Sequence, residues 1–308
     1  MFNQLHHAAN GWLAFELNVL RRLKFDSVMM PFTDQPTLGA FLKRRGTRVL
    51  ANDRMQSAWI KAVAAIQNNG EVLSAAGVDL ILEDAYVPRY RLHNPALRQR
   101  FNETDAWWFD NVRQNIERLP SPVIRAVALS LGISVGDYAA SFTEKTMELR
   151  QPFSKVFQRL WSVLPKPYDN HQRNVCHNKT ATEFIAENFA DLMFLRLPSL
   201  SRRNDSRRDS PNARNEEWVR GNDDFWNDSG VFGKFGAPVA TKSQYLELLE
   251  DVLHSAAKIP VWSIAHVEDG FISTQDLVES VGRVRRVDTI YSKDFSELSG
   301  TKAVIITA

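Results

Sequence analysis

The residues whose position suggests catalysis are those of the turn after a short apolar segment near residue 195. Residues 191–195 predict a buried strand, and the turn that ends it reads Arg196-Leu197-Pro198-Ser199. In α/β sheets, loops at the carboxyl ends of the strands usually hold the catalytic groups. This turn supplies neither an acid nor an amide, and an arginine has no hydrogen-bond acceptor. A loop in a catalytic position therefore lacks the groups that catalysis needs.

The composition predicts a globular, cytoplasmic protein. The chain has 308 residues, of which 44% are hydrophobic, enough for the core of one large domain. With 38 Lys and Arg against 36 Asp and Glu, the net charge is only +2, so a nucleic-acid surface requires local clustering of cations. The single cysteine, Cys176, excludes an internal disulfide and fits a reducing compartment. We expect no secretory leader and no membrane span, because no apolar run approaches the roughly 18 residues that a span requires.

Hydrophobic periodicity predicts an α/β fold. The strand-like segments FDSVMMPF and TRVLAND are each followed by a helix-compatible stretch, which gives the β-α-β-α opening of a doubly wound sheet. The alternation resumes with ADLMFL and IPVWSIAHV. The final segments, RVDTIYS and KAVIITA, predict an antiparallel pair at the sheet edge. We therefore expect a doubly wound, Rossmann-like sheet with an antiparallel C-terminal hairpin.

Between the N-terminal and C-terminal parts of the predicted sheet, the alternation of strands and helices stops. Residues 85–165 contain three segments with helical spacing, DAWWFDNVRQNIERL, SPVIRAVALSLGISVGDYAASF and FSKVFQRLWSVL. They predict a helical insertion beside the carboxyl edge of the sheet. The α/β core then comprises residues 25–84 and 166–308, and residues 1–24 form an N-terminal helical segment.

The order and spacing of three segments resemble the Dam-like class of adenine-specific DNA methyltransferases. The segments are MMPFTDQPTLGAFLKRRGTRVLAND at 29–53, RFNETDAWWFDNVRQNIERL at 100–119 and AHVEDGFISTQDL at 265–277. The first and last are similar to DAFAGSGSVSYYFKKLGKKVIAND and SYRSDGIPSIDEL of that family, and the resemblance runs from about residue 25 to the end. It implies a methyltransferase sheet, S-adenosylmethionine as cofactor, DNA as partner and a target-recognition-like insertion.

The loop after the first strand departs from the family at the cofactor position. The family has F-x-G-x-G there, because only glycine lets the backbone approach the methionine end of S-adenosylmethionine so closely. Here the loop reads Pro31-Phe32-Thr33-Asp34-Gln35-Pro36. Asp34 adds a carboxylate near the cofactor's own carboxylate, and Pro36 fixes φ where the turn needs freedom. We expect these residues to mark the cofactor position without binding the cofactor in the usual way.

Asn52-Asp53, at the end of the second predicted strand, match the family's acidic residue that accepts the ribose hydroxyls. A helix cap for the following segment, RMQSAWIKAV, explains Asp53 equally well. The sequence leaves both interpretations open.

The turn at Arg196 matches the position of the family's catalytic motif, D-P-P-Y. In the family the Asp accepts a hydrogen bond from the adenine amino group, and the aromatic ring stacks on the flipped base. Aligning DLMFLRLPS with the family's DLVYLDPPY puts Arg196, Leu197 and Ser199 in place of the Asp, the first Pro and the Tyr, and Pro198 is kept. The charge of Arg196 would also lie near the cationic sulfonium. The loss of both loops predicts a methyltransferase scaffold that no longer methylates.

An arginine-rich segment, residues 201–224, follows directly and predicts a mobile loop. Its arginines are expected to contact DNA phosphates: Arg202, Arg203, Arg207, Arg208, Arg214 and Arg220. Four acids dilute this charge, namely Asp205, Asp209, Glu216 and Glu217, so a merely solvated loop is the alternative.

The other candidate residues predict structural roles. The histidines and the cysteine at His6-His7, His171 and Cys176-His177 lack the spacing of a metal site or of a nucleophile with its base. His266 ends a strand-like segment and is interpreted as a loop histidine. Three aromatic residues, Trp107, Trp108 and Phe109, could stack on bases, but the helical spacing with Val112 and Ile116 favours packing.

Two functions fit these observations. The first is a catalytically inactive methyltransferase homologue that binds DNA or supports a partner subunit, such as an active methyltransferase or a nuclease of a restriction-modification system. The second is an active, S-adenosylmethionine-dependent adenine DNA methyltransferase with divergent motifs. Binding of S-adenosylmethionine distinguishes the two.

Overall fold

The structure is a computed structural model that describes residues 11–198, 211–222, 235, 239, 241–268, 271–295 and 302–308. Its strands are β1 (Ser27–Met30), β2 (Arg48–Asn52), β3 (Val175–His177), β4 (Leu192–Arg196), β5 (Val261–Glu268), β6 (Thr289–Asp294) and β7 (Lys302–Thr307). The described helices of the N-terminal half are α1 (Trp12–Leu20), α2 (Thr37–Arg44), α3 (Gln56–Ala62), α4 (Ala75–Leu82), α5 (Glu103–Glu117) and α6 (Pro122–Ala140). Those of the C-terminal half are α7 (Phe153–Ser162), α8 (Ala181–Glu187), α9 (Pro211–Arg220), α10 (Lys242–Ser255) and α11 (Thr274–Gly282).

The strands form one mixed sheet of seven strands in the order β3-β2-β1-β4-β5-β7-β6. The first five of these are parallel, and β7 runs antiparallel to both β5 and β6. The structure therefore confirms an α/β sheet that is mostly parallel and ends in the predicted C-terminal antiparallel pair. The direction of strand order reverses between β1 and β4, and crevices at such points commonly bind ligands in α/β folds.

Each face of the sheet is covered by its own hydrophobic cluster. Val28 and Met30 of β1 belong to the cluster with α1, α2 and α3, whereas Met29 belongs to the cluster with α8, α10 and α11. Successive side chains of a strand point to opposite faces, and a parallel sheet is buried on both of them. This double burial explains why the parallel strands read as unbroken apolar runs in the sequence.

The helices α5, α6 and α7 lie within the predicted insertion and share the first cluster with the sheet. Trp108 is fully buried, and its ring centroid lies 5.3 Å from that of Phe153. Phe109 packs at 5.9 Å against Trp218 of α9. The structure thus confirms the packing role expected for these aromatic residues. The division of the chain into an insertion and a core stays a prediction.

The predicted mobile loop at 201–224 is wrong for residues 211–220, which form α9. Ala213, Trp218 and Val219 of this helix are buried. The sequence did not reveal this short apolar stripe because charged residues interrupt it. The partners that allow these charged residues to be buried lie on distant parts of the chain.

Helix α6 is, among the described residues, long and apolar enough to cross a membrane by length and composition, with a mean hydropathy of 1.4. Buried residues make up 56% of its most apolar window, and many belong to the first hydrophobic cluster. Packing in the core accounts for the apolar sequence of this helix.

Candidate functional site

The loop between β1 and α2 is held by Asp53, the residue after β2. The Asp53 carboxylate is buried and accepts hydrogen bonds from the backbone N–H groups of Thr33 (3.1 Å), Asp34 (2.8 Å) and Met55 (2.9 Å). Met55 immediately precedes α3, so Asp53 fastens the loop and also satisfies an amide at the start of the helix. Both carboxylate oxygens therefore already accept hydrogen bonds within the chain.

Burial has a large electrostatic effect on this carboxyl group. Desolvation raises the pKa of Asp53 to about 6, although the N–H groups of Asp34 and Met55 act in the opposite direction. The nearby carboxylate of Asp34 raises the pKa of Asp53 further. A bound amino-acid carboxylate would add a third negative charge to this place, which is unfavourable.

The turn before α2 contains a residue other than glycine in the left-handed backbone conformation. Asp34 has a φ of 40°, in the left-handed region that residues other than glycine seldom adopt. Pro36 has a φ of −76°, and its carbonyl accepts the N–H of Ala40 at 2.8 Å at the start of α2. Phe32 packs edge-on against Phe235, with ring centroids 5.6 Å apart. Asp34 and Pro36 thus place two side chains at the positions where the family that the sequence resembles has glycine.

Asn52, the last residue of β2, connects the ends of three strands. Its Nδ2 donates to the carbonyls of Pro31 at 3.0 Å and Lys179 at 3.1 Å, and its Oδ1 accepts the N–H of Lys179 at 3.0 Å. Thr33 donates its N–H and its hydroxyl to the carbonyl of Asn52, each at 3.0 Å. The polar groups that the resemblance assigns to the cofactor therefore bind one another.

Arg196, at the end of β4, forms an ion pair with Glu16 of α1. Its Nε and Nη2 donate to Glu16 Oε1 at 3.0 and 2.7 Å, and Nη2 donates to Oε2 at 2.8 Å. The Glu16 side chain is fully buried and also accepts from Trp12 Nε1 at 2.6 Å. Burial raises the pKa of Glu16, and the guanidinium of Arg196 opposes that rise. The guanidinium of Arg196 therefore neutralises a buried carboxylate.

The residues after Arg196 are fixed to the second sheet face. Leu197 donates its N–H to the carbonyl of Ala265 at 2.9 Å, and its side chain packs against the second hydrophobic cluster. The carbonyl of Pro198 accepts from the hydroxyl of Tyr245 at 3.4 Å. The start of the turn is thus held by packing and hydrogen bonds.

Sequence reasoning missed Glu16, although the sequence contains a signal. The segment WLAFELNVL carries one charged residue in an otherwise apolar helix, and a buried carboxylate requires a cationic or hydrogen-bonding partner. The partner could not be identified, because Arg196 lies 180 residues away along the chain.

Two of the arginines expected to contact DNA are paired inside the protein. Arg214 Nη2 lies 3.2 Å from Asp137 Oδ1, and Arg220 Nε lies 2.6 Å from Glu216 Oε1. The side chain of Arg214 is only 12% exposed, so it is not placed for the expected phosphate contact. Several other residues with predicted roles lie outside the described residues, and those roles stay predictions: Ser199, Arg202, Arg203, Arg207 and Arg208.

Two acids of the same segment, Glu216 and Glu217, fasten α9 to its surroundings. Glu216 accepts the N–H groups of Gln56 at 2.8 Å and Ser57 at 2.9 Å in the first turn of α3, where an anion is favoured by the helix dipole. Glu217 forms an ion pair with Arg100 at 3.0 Å. Rather than diluting an exposed positive charge, these carboxylates have structural partners.

Cys176, His177 and His266 have structural surroundings, whereas the side chain of His171 is 90% exposed. Cys176 is buried in β3, and burial raises the pKa of its thiol to about 12. His177 packs against Phe184, with ring centroids 5.4 Å apart. His266 is buried within β5 and lies 3.1 Å from the carbonyl of Ile272, so its interpretation as a loop histidine is wrong. In the part of the chain that the structure describes, no group of three His, Cys, Asp or Glu side chains could hold a metal ion.

No protein-family model matches the chain, and no curated protein matches it either. The function is therefore argued from the geometry of the carboxyl edge and from the residues that carry the resemblance.

Proposed function

We propose that the chain is a catalytically degenerate homologue of the Dam-like adenine DNA methyltransferases, and that it binds DNA or supports a partner subunit in the cytoplasm. The observation that carries the proposal is the ion pair between Arg196 and Glu16. The residue in the position of the family's catalytic Asp has no acceptor for an adenine amino group. Its charge is also engaged by a fully buried carboxylate.

The sheet supports the relation to methyltransferases. A parallel core followed by an antiparallel hairpin at the edge is a feature of methyltransferase-like sheets, and β5, β7 and β6 have this arrangement. The cofactor loop, Asp53 and Arg196 all follow the carboxyl ends of neighbouring strands, β1, β2 and β4. These are the strand ends at which α/β folds hold their ligands.

The residues present do not fit S-adenosylmethionine in the family's manner. Asp53 uses both carboxylate oxygens on backbone amides, and Asp34 places a second carboxylate beside the loop. Arg196 adds a positive charge on the side of the catalytic turn, where the cofactor would carry its sulfonium. The proposal therefore contains no methyl-transfer step.

The test is a pair of binding measurements on the whole chain. Titration calorimetry with S-adenosylmethionine is expected to give no heat, and the cofactor is expected to leave the melting temperature unchanged, because a ligand that binds the folded state raises it. Titration with duplex DNA is expected to show salt-dependent binding. Saturable binding of S-adenosylmethionine would contradict the proposal and favour the divergent active enzyme. If neither ligand binds, the DNA branch of the proposal fails and the partner-subunit branch is left.

A further inference from the structure

Residues 87–91, here called the Tyr90 loop, project from the segment before α5. Tyr90 has a relative exposure of 102%, and Arg89 and Arg91 on either side of it are exposed as well. A tyrosine ring usually covers part of its apolar area with protein, and complete exposure leaves the ring available to a partner.

Both ends of the Tyr90 loop are fastened to α5. Asn111 Nδ2 donates to the carbonyl of Val87 at 2.9 Å. The neighbouring Asp110 accepts the N–H groups of His93 and Asn94, each at 2.9 Å. Two adjacent buried side chains therefore hold the base of the loop, which reduces the conformational entropy that the tip would lose on binding.

The segment around the loop is positively charged. Residues 85–102 contain four arginines, Arg89, Arg91, Arg98 and Arg100, and no Asp or Glu. Arg100 forms an ion pair with Glu217, whereas the other three are exposed and have no ion pair with any residue that the structure describes. Exposed arginines without carboxylate partners favour phosphate groups, which guanidinium binds in a bidentate manner.

The Tyr90 loop is connected to the helix that follows the arginine-rich segment. Asn94 Nδ2 donates to the carbonyl of Glu217 in α9 at 3.2 Å, and Arg100 binds the carboxylate of the same residue. A nucleic-acid strand that contacts the loop would therefore run close to α9.

The combination of an exposed ring and flanking cations is typical of surfaces that bind single-stranded nucleic acid. There an aromatic side chain stacks on a base while cations follow the backbone. Intact duplex keeps the faces of its bases covered by their neighbours, so a ring on a projecting loop gains a stacking contact from an unpaired base.

We propose that the Tyr90 loop stacks on an unpaired base of single-stranded or locally opened DNA, with Arg89, Arg91 and Arg98 on the flanking phosphates. This inference rests on the proposed DNA-binding function and adds to it a preference for unpaired strands. It assigns the contact to residues other than those of the arginine-rich segment.

The test compares Tyr90→Ala and Tyr90→Phe with the unaltered chain, by fluorescence anisotropy with a labelled single strand and with the duplex of the same sequence. Tyr90→Ala is expected to weaken binding of the single strand about tenfold, the size of one lost stacking contact. Tyr90→Phe keeps the ring and is expected to stay within about twofold. Duplex affinity is expected to change little in both variants.

A charge-matched pair of double variants tests the phosphate contacts. Arg89→Ala with Arg91→Ala is expected to lower the salt slope for the single strand by about 0.7 per lost contact. The control, Arg44→Ala with Arg45→Ala, removes the same charge from exposed positions at the end of α2 and is expected to leave the slope unchanged.

The other outcomes distinguish failure of this inference from failure of the proposed function. If the unaltered chain binds DNA but Tyr90→Ala leaves single-strand affinity unchanged, this inference is overturned and the proposed function stands. Equal losses for the single strand and the duplex also overturn it, because the contact would not require an unpaired base. If the unaltered chain binds neither form, the inference and the DNA branch of the proposed function fail together. An unchanged melting temperature shows that the variants are folded.

Discussion

Polar side chains at the carboxyl edge of the sheet are bound within the protein, whereas those of the Tyr90 loop are exposed. At the carboxyl edge, Asn52, Asp53 and Arg196 are bound to other parts of the chain. On the Tyr90 loop, the side chains of Arg89, Tyr90 and Arg91 are exposed. The polar residues at the carboxyl edge therefore stabilise the fold, while the surface loop keeps its groups available for a partner.

The difference arises from burial. A charged group in a buried place requires a partner, because desolvation without compensation costs several kcal/mol. Glu16 and Arg196 satisfy each other, and Asp53 is satisfied by three amides. An exposed arginine remains solvated and can exchange water for phosphate at little cost.

The largest expected effect comes from breaking the buried ion pair. Arg196→Asp places a second carboxylate beside the fully buried Glu16, and we expect a loss of about 3–5 kcal/mol in the free energy of unfolding. Urea unfolding measures this loss. The matched control, Glu16→Gln with Arg196→Met, removes both charges and is expected to recover most of the stability. A loss below about 1 kcal/mol in Arg196→Asp would show that the pair is as weak as an exposed one.

A second, smaller effect concerns Asp53 and pH. Its pKa in the folded protein, about 6, lies above the ordinary value of 3.8 for an aspartate. The stability that this group contributes is therefore fully present below about pH 4 and is lost as the pH rises through about 6, a change of roughly 3 kcal/mol. Asp53→Asn removes the titration, so the difference in unfolding free energy between the two proteins should vary over this window. A difference that stays constant from pH 4 to 7 would contradict the raised pKa.

The smallest expected effect concerns the arginine-rich segment. Neutralising Arg202, Arg203, Arg207 and Arg208 together should weaken duplex binding and lower the salt slope by about 0.9 per lost phosphate contact, with little change in sequence preference. Binding isotherms at several salt concentrations measure both, with melting temperature as the control for folding. Unchanged slopes would assign the duplex contact to other residues, or this surface to a protein partner.

The sequence predicted much of the sheet because the signals of its strands are local. Alternating strands and helices identified β1, β2, β4 and β5, and two short apolar segments with a short link identified the hairpin of β6 and β7. Such patterns depend on neighbours within a few residues and on the burial of sheet faces.

The contacts that determine the site were beyond the sequence because they join distant residues. The resemblance predicts a catalytic acid at the position of Arg196, but the pairing of Arg196 with Glu16 depends on how α1 packs beside the sheet. Asp53 was expected at the end of β2. Whether its carboxylate is free for a ribose or accepts hydrogen bonds from the loop amides depends on the fold of residues 33–34. Helix α9 was missed because Glu216 and Glu217 look solvent-exposed until their partners are known.

We propose that this carboxyl edge holds a methyltransferase scaffold without methyl transfer. The most direct measurement follows labelled methyl groups from S-adenosylmethionine into adenine-containing DNA. We expect no transfer by the unaltered chain. We also expect none by a variant with Arg196→Asp, Leu197→Pro, Ser199→Tyr and Glu16→Gln, which rebuilds the base-side turn and removes the buried charge but keeps Asp34 and Pro36. Transfer by the unaltered chain would contradict the account, and transfer by the variant alone would show that the loop after β1 still accepts the cofactor.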